Sequence, residues 1–184
     1  MTEKDRYILE QEQANLIVSR LATQILEKNV NAADVVLIGM RTGGIFLARL
    51  IQEKLRQLEG ADIPIGVLDI TLYRDDISTT DQHHFVRKTE IPFSLNDRVV
   101  VLVDDVLYTG RSTRAALDAM MDFGRPKRVQ LAVLIDRGER ELPIRPDFVG
   151  KKISIDESER VEVLFDETGT LLGAVIQQRE RTPS

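Results

Sequence analysis

An apolar run at 99–103 (VVVLV) ends on two adjacent carboxylates, Asp104 and Asp105, and Thr109-Gly110-Arg111-Ser112 follows four residues on. Paired acids at the end of a buried strand are costly unless a cation or hydrogen-bond donors meet them. The T-G-R-S segment has the complementary property: glycine allows close backbone approach, while N–H groups, hydroxyls and a helix N-terminus favour a phosphate. An acid pair beside an anion nest suits a sugar phosphate. The alternative is purely structural, with Thr109 or Ser112 capping a helix and the aspartates in an ion pair. A Walker loop is excluded for want of G-K-S/T, and no GxGxxG occurs. A receiver-type acid pocket needs a further Asp and a Lys in another strand order, and none can be placed.

The elements that must position these residues are legible from periodicity. Apolar residues recur at helical steps over 13–28, from Ala14 through Ile17, Val18, Leu21 and Ala22 to Ile25. A β-branched run at 34–40 (DVVLIGM) leads through Arg41-Thr42-Gly43-Gly44 into a helical pattern over 45–55. Strands are predicted at 63–70, 98–105 and 128–136, with a helix after Ser112 stopped by Gly124 and Pro126. The stretch 71–90 is polar without a period, as expected of a functional lid or hairpin arm. Residues 137–152 read as irregular, 161–165 and 171–177 as late strands, and 179–184 as a frayed tail. Strands alternating with helices imply a parallel sheet whose ligands sit beyond its carboxyl ends. Residues 41–44, 104–112 and 136–137 fall at such ends and can converge.

Composition is consistent with one α/β domain over residues 1–184: 42% hydrophobic, 5% aromatic, and no Trp. Without cysteine there is neither a disulfide framework nor a thiolate metal site. His83 and His84 lack spaced partners and read as solvated loop residues, as does the Arg87-Lys88 pair unless it meets pyrophosphate on loop closure. A charged N-terminus and no apolar run near 20 residues predict a cytoplasmic protein without a membrane segment. Net charge −5 and pI near 5.2 argue against broad attraction to nucleic acid, so any RNA binding must be local.

VVVLVDDVLYTGRS closely resembles the phosphoribosyl pyrophosphate (PRPP) motif of type I phosphoribosyltransferases. Within that superfamily, LDITLYRDD (68–76), VDDVLYTGRS (103–112), GRPKRVQLAVLIDRG (124–138) and ELPIRPDFVGK (141–151) resemble the PyrR family. These are regulators of the pyrimidine operon that also act as uracil phosphoribosyltransferases. The resemblance implies a type I phosphoribosyltransferase fold: a central, mostly parallel sheet with flanking helices, a flexible loop and a small hood. It implies that Asp104 and Asp105 hold the ribose 2′ and 3′ hydroxyls and stabilise charge on the ribose as pyrophosphate departs. Thr109, Gly110, Arg111 and Ser112 would cradle the 5′-phosphate, with Val106, Leu107 and Tyr108 completing the PRPP-binding segment. Arg41, Thr42 and Arg74 would bind pyrophosphate. Mg²⁺ would be held mainly by substrate oxygens and water, without an all-protein metal cage. Asp136 and Arg137 would read uracil, the alternative for Arg137 being a surface ion pair with Glu139 or Glu141. Tyr108 stands where 6-oxopurine enzymes of the superfamily carry an Asp as candidate base, which disfavours hypoxanthine and guanine.

The chain departs from this family mainly where RNA would bind. Ala14 and Asn15 replace frequent arginines, Thr23 a frequent His, and Glu139 stands where the regulators read His. Arg20, Arg140, Arg145, Lys151 and Lys152 remain as the candidate basic surface for a pyr leader mRNA. Gly43 replaces a frequent Arg in the pyrophosphate loop, and Arg41 is placed to compensate. Two functions of different class follow: an enzyme making UMP and pyrophosphate from uracil and PRPP, or a UMP- or UTP-sensing RNA attenuator with little turnover. A homodimer or homotetramer is implied by the resemblance.

Overall fold

The computed structural model describes residues 6–60, 62–71 and 89–178. Arg74, His83, His84, Arg87, Lys88 and the tail from residue 179 lie outside the described residues, so the lid expected at 71–90 is not described except at its two ends.

The strands are β1 (Arg6–Glu10), β2 (Val35–Met40), β3 (Ile65–Leu68), β4 (Val99–Leu107), β5 (Arg128–Asp136), β6 (Phe148–Lys152), β7 (Glu159–Phe165) and β8 (Leu171–Gln178). The helices are α1 (Gln11–Lys28), α2 (Gly43–Glu59) and α3 (Arg111–Met120). Five strands form a wholly parallel sheet in the order β3-β2-β4-β5-β6. The uninterrupted β-branched runs of β2, β4 and β5 fit strands buried on both faces, and all six residues of β2 are buried. One core lies between the sheet, α1, α2 and part of the second sheet; the other lies under α3. The helical stripe read from the sequence is the buried face of α1: Ala14, Val18, Leu21, Ala22 and Ile25.

The chain leaves β2 towards β3 on one side, then crosses back to β4 and continues to β6 on the other. The order therefore reverses between β2 and β4, and the loops after these two strands flank a crevice at the carboxyl edge, where open α/β sheets bind ligands. The hood is a separate antiparallel sheet, β1-β8-β7. It is tied to the main body through Phe46 of α2 and Phe165 of β7, with ring centroids 5.2 Å apart, and through Lys151 Nζ, which donates to Ile8 O at 2.6 Å.

Two strands were not anticipated. β1 has a single fully buried side chain, Leu9, so its charged sequence shows no alternation. β6 lies in a segment rich in breakers and pairs with β5 from Ala132↔Phe148 to Asp136↔Lys152. Its Gly150 is required for packing, since a Cβ there would lie 2.3 Å from Leu134 O and 2.6 Å from Ile17 Cγ2. The outer edge of β6 is covered by Arg20, whose guanidinium donates to Val149 O and Gly150 O. β4 also runs two residues beyond the acid pair, so Asp104 and Asp105 lie within the strand.

Candidate functional site

Residues 41–44 turn the chain from β2 into α2, with a cis peptide between Arg41 and Thr42. Gly44 presses this turn onto β4: a Cβ there would stand 2.3 Å from Val103 O. The second loop ends at Gly110, which caps α3 at φ 91°, a left-handed conformation that other residues adopt only with strain. Residues 110–113 thus open the helix N-terminus into a cavity of about 390 Å³ lined by Asp104, residues 106–113 and Glu141.

Successive residues of a strand face opposite sides, and the two acids divide accordingly. Asp104, 9% exposed, lines the cavity at the α3 N-terminus. Asp105 lines a second cavity, of about 510 Å³, beneath the hood with Thr42, Gly43, Phe46 and residues 161–165. Asp104 Oδ1 accepts the Asp105 N–H at 3.0 Å, and Asp105 Oδ1 accepts the Val106 N–H at 3.0 Å. The candidates thus divide between two cavities that share Val106: Asp104 with the phosphate-loop candidates Thr109 to Ser112, and Asp105 with the Thr42–Gly43 turn. Thr113 was not among the candidates. The residue lines the same cavity as Asp104 and is 2% exposed, and its buried hydroxyl has no hydrogen-bond partner among the described residues. The signal was the hydroxyl pair Ser112-Thr113 at the first helical turn. Arg111 sits on the rim, its Nε donating to Glu141 Oε2 at 2.6 Å.

Asp136 and Arg137 reach the end of β5, where most of their polar groups are engaged by the protein; Arg137 Nε is buried without a hydrogen-bond partner among the described residues, and Asp136 also lines a cavity of about 780 Å³. Asp136 Oδ1 accepts Arg140 Nη2 at 2.5 Å and the Gly138 N–H at 3.0 Å. Arg137 is 3% exposed. Its guanidinium lies 3.8 Å from the Tyr108 ring centroid and donates to Glu159 O at 2.9 Å, Asp156 O at 3.4 Å and Glu139 Oε2 at 3.2 Å. The ion pair with Glu139 weighed from the sequence is present, yet on a buried cation that joins the phosphate loop to the segment entering the hood. The backbone repeats that tie, with Arg137 N–H donating to Leu107 O at 2.9 Å and Glu141 N–H to Thr109 O at 3.0 Å.

The candidate basic surface is reduced in a similar way. Arg140 also donates to Tyr108 O at 2.7 Å, Gly138 O at 2.8 Å and Ile144 O at 3.2 Å. Together with Arg20 and Lys151 it spends its donors on main-chain carbonyls. Arg145 and Lys152 line a cavity of about 780 Å³ between the end of α1 and the start of β6, beside the Lys28–Asp147 ion pair at 2.6 Å.

A model of the phosphoribosyl transferase domain matches residues 6–166. A bifunctional protein PyrR of Geobacter sp. (strain M21) is 52% identical over 161 residues, covering 88% of this chain and 91% of that protein. The bifunctional protein PyrR of Caldicellulosiruptor bescii is 48% identical over 179 residues, covering 97% and 98%. The chain belongs to the PyrR family of phosphoribosyl transferase domains. A solved Trypanosoma cruzi hypoxanthine phosphoribosyl transferase has TM-score 0.71 at 18% identity, covering 97% of this chain and 94% of its own, which establishes the shared fold. In this PyrR-family chain the adjacent carboxylates are the hard oxygen donors that Mg²⁺ accepts. Among the described residues no group of three or more His, Cys, Asp or Glu is placed to hold a metal ion. No helix among the described residues is long and apolar enough to cross a membrane.

Proposed function

We propose that the protein transfers the phosphoribosyl group of PRPP to uracil, giving UMP and pyrophosphate. The observation that carries this reading is the cavity in which Gly110 opens the α3 N-terminus next to Asp104, a phosphate nest within reach of a ribose-binding acid. In this reading the 5′-phosphate rests on residues 109–112, with Thr113 as an added donor, and the ribose lies across Asp104 and Asp105. Pyrophosphate is bound by Arg41 and Thr42, with Arg74 closing over it. Uracil N1 bonds to ribose C1′ as the C1′–oxygen bond to pyrophosphate breaks, and the N1 proton passes to solvent. Positive charge that develops on the ribose is met by the two carboxylates. Mg²⁺ carried in with the substrate would supply further charge neutralisation, and Asp104 and Asp105 are the residues that would hold it.

The acceptor is read from the stack of Arg137 on Tyr108. An aromatic ring held under a buried guanidinium supplies no carboxylate base at position 108, which favours a pyrimidine over a 6-oxopurine. Asp136 and Arg137 would then shape the uracil pocket through their positions and backbone. The test is a base panel with PRPP and Mg²⁺. UMP formation with uracil and no product with hypoxanthine or guanine is expected, and the reverse pattern would overturn the reading.

The bifunctional name of the relatives favours a second activity: binding of a pyr leader mRNA strengthened by UMP or UTP. Arg145 and Lys152 offer the cationic surface for it. A leader RNA whose mobility at low salt does not respond to either nucleotide would count against this activity. The same reading takes the protein as a cytoplasmic single domain assembling as a homodimer or homotetramer, which sedimentation would test.

A further inference from the structure

The pyrophosphate loop and the acid strand meet at a missing side chain. A Cβ built on Gly43 would lie 2.1 Å from Asp105 Oδ2, 2.5 Å from Cγ and 3.0 Å from Cβ. A change of rotamer would move the first two atoms away but not the third, which the β4 backbone fixes. Gly43 is not among the glycines with positive φ, so what the glycine supplies in this chain is space for Asp105 and not a backbone conformation. The adjacent Gly44 shows the contrast, because its absent Cβ would meet a main-chain oxygen, Val103 O. Gly44 packs helix on strand, whereas Gly43 receives a functional carboxylate.

Asp105 is consequently held from two directions. Its Oδ1 accepts the Val106 N–H at 3.0 Å, and its Oδ2 occupies the space that a side chain at Gly43 would fill. Both residues line the cavity beneath the hood together with Thr42. We propose that Gly43 is a positioning residue that seats the Asp105 carboxylate against the pyrophosphate loop, so that acid and loop bind the ribose-pyrophosphate half of the substrate as one unit. The nature of the substrate rests on the function proposed above; the coupling between residues 43 and 105 does not.

The experiment is a double-variant cycle on the full chain with Gly43→Ala, Asp105→Ala and both together. Calorimetric titration with PRPP and Mg²⁺, steady-state KM for PRPP and uracil, and melting midpoints are read in each. Residues in direct contact couple by an amount that corresponds to about tenfold in affinity. Gly43→Ala is therefore expected to weaken PRPP binding and raise its KM by about that factor, with little change in KM for uracil. In the Asp105→Ala background, where the two closest atoms are gone, the same change should cost no more than about twofold. Should Gly43→Ala lower the melting midpoint as well, the double variant is expected to recover it. Equal losses in the two backgrounds, in binding or in melting, overturn the proposal, as does a Gly43→Ala protein that binds PRPP like the parent. A parent protein that binds no PRPP would sink the proposed function and leave the 43–105 coupling to be decided by melting alone.

Discussion

The carboxyl rim of the parallel sheet and the outer face built from α1, β6 and the segment before it are both rich in charge, but they use it in opposite ways. At the rim, Asp104 and Asp105 face cavities and Gly110 opens a helix N-terminus into one of them. On the outer face, Arg20, Arg140 and Lys151 donate to main-chain carbonyls, and Lys28 pairs with Asp147. A cation counted in a sequence is available to a ligand only where no nearby acceptor has claimed it. The rim leaves its acids facing cavities, whereas the outer face commits most of its cations to main-chain carbonyls and keeps Arg145 and Lys152 beside a cavity.

The largest effects should fall at the rim. Asp105→Asn keeps the shape but removes a charge aimed at the reacting ribose, so UMP formation should drop by roughly 10²–10³-fold, the range for removing one preorganised stabilising group. A rate within about threefold of the parent in a coupled assay would place the catalytic charge elsewhere. Next is Arg137→Met, which replaces the stacked guanidinium with an apolar chain and leaves the carbonyls of Asp156 and Glu159 unmet. Leaving buried carbonyls without a donor costs about 1–3 kcal/mol, read as a lower denaturation midpoint. An unchanged midpoint with weaker uracil use would make Arg137 a base-reading residue instead of a tie between the phosphate loop and the hood.

How much of this could be seen in the sequence depended on the range of the interaction. β2, β4 and β5 are legible because strands buried on both faces leave unbroken apolar runs, and α1 because its stripe is local. The phosphate loop is legible because glycine, hydroxyls and acids sit within nine residues of one another. β1 and β6 are not, since β1 has only Leu9 fully buried and β6 depends on pairing with β5 and on Gly150 letting α1 approach. The inward turn of Arg137 is set by a carbonyl 22 residues further on. The Gly43–Asp105 contact depends on the reversal of strand order between β2 and β4, which no local pattern encodes.

Gly110→Ala probes the rim more gently. At φ 91° an alanine costs about 1–2 kcal/mol, and its Cβ would also lie 3.3 Å from Ile144 Cδ1. Thermal melting should show that loss, and inorganic phosphate should protect the variant less than it protects the parent. On the outer face, replacing both Arg145 and Lys152 by Ala should lower the slope of log affinity against log salt for a leader RNA by roughly 2, one for each phosphate no longer neutralised. Arg20→Met should leave that slope near the parent value, because its guanidinium already serves Val149 and Gly150. A slope that falls as much for Arg20→Met would mean that claimed cations still reach RNA, and the contrast between the two faces would fail.

The smallest effect extends the same rule to acids. Asp166, on the exposed turn between β7 and β8, accepts from the Thr168 hydroxyl at 2.7 Å and from the N–H groups of Thr168 and Thr170 at 2.9 and 2.8 Å. These donors, the Thr168 hydroxyl first, hold its carboxyl below the ordinary 3.8. Because the folded value is depressed, the contribution of the turn to stability is present above the unfolded value near 3.8 and is lost as pH falls through the lower folded value. Carboxyl titration by NMR should place Asp166 below 3.8 in the parent and closer to it in Thr168→Val, with the shift confined to this turn. A midpoint unmoved by Thr168→Val would mean that hydroxyl donation does not claim the carboxylate. The distinction between charges committed to the fold and charges left for a ligand would then need a criterion other than hydrogen-bond geometry.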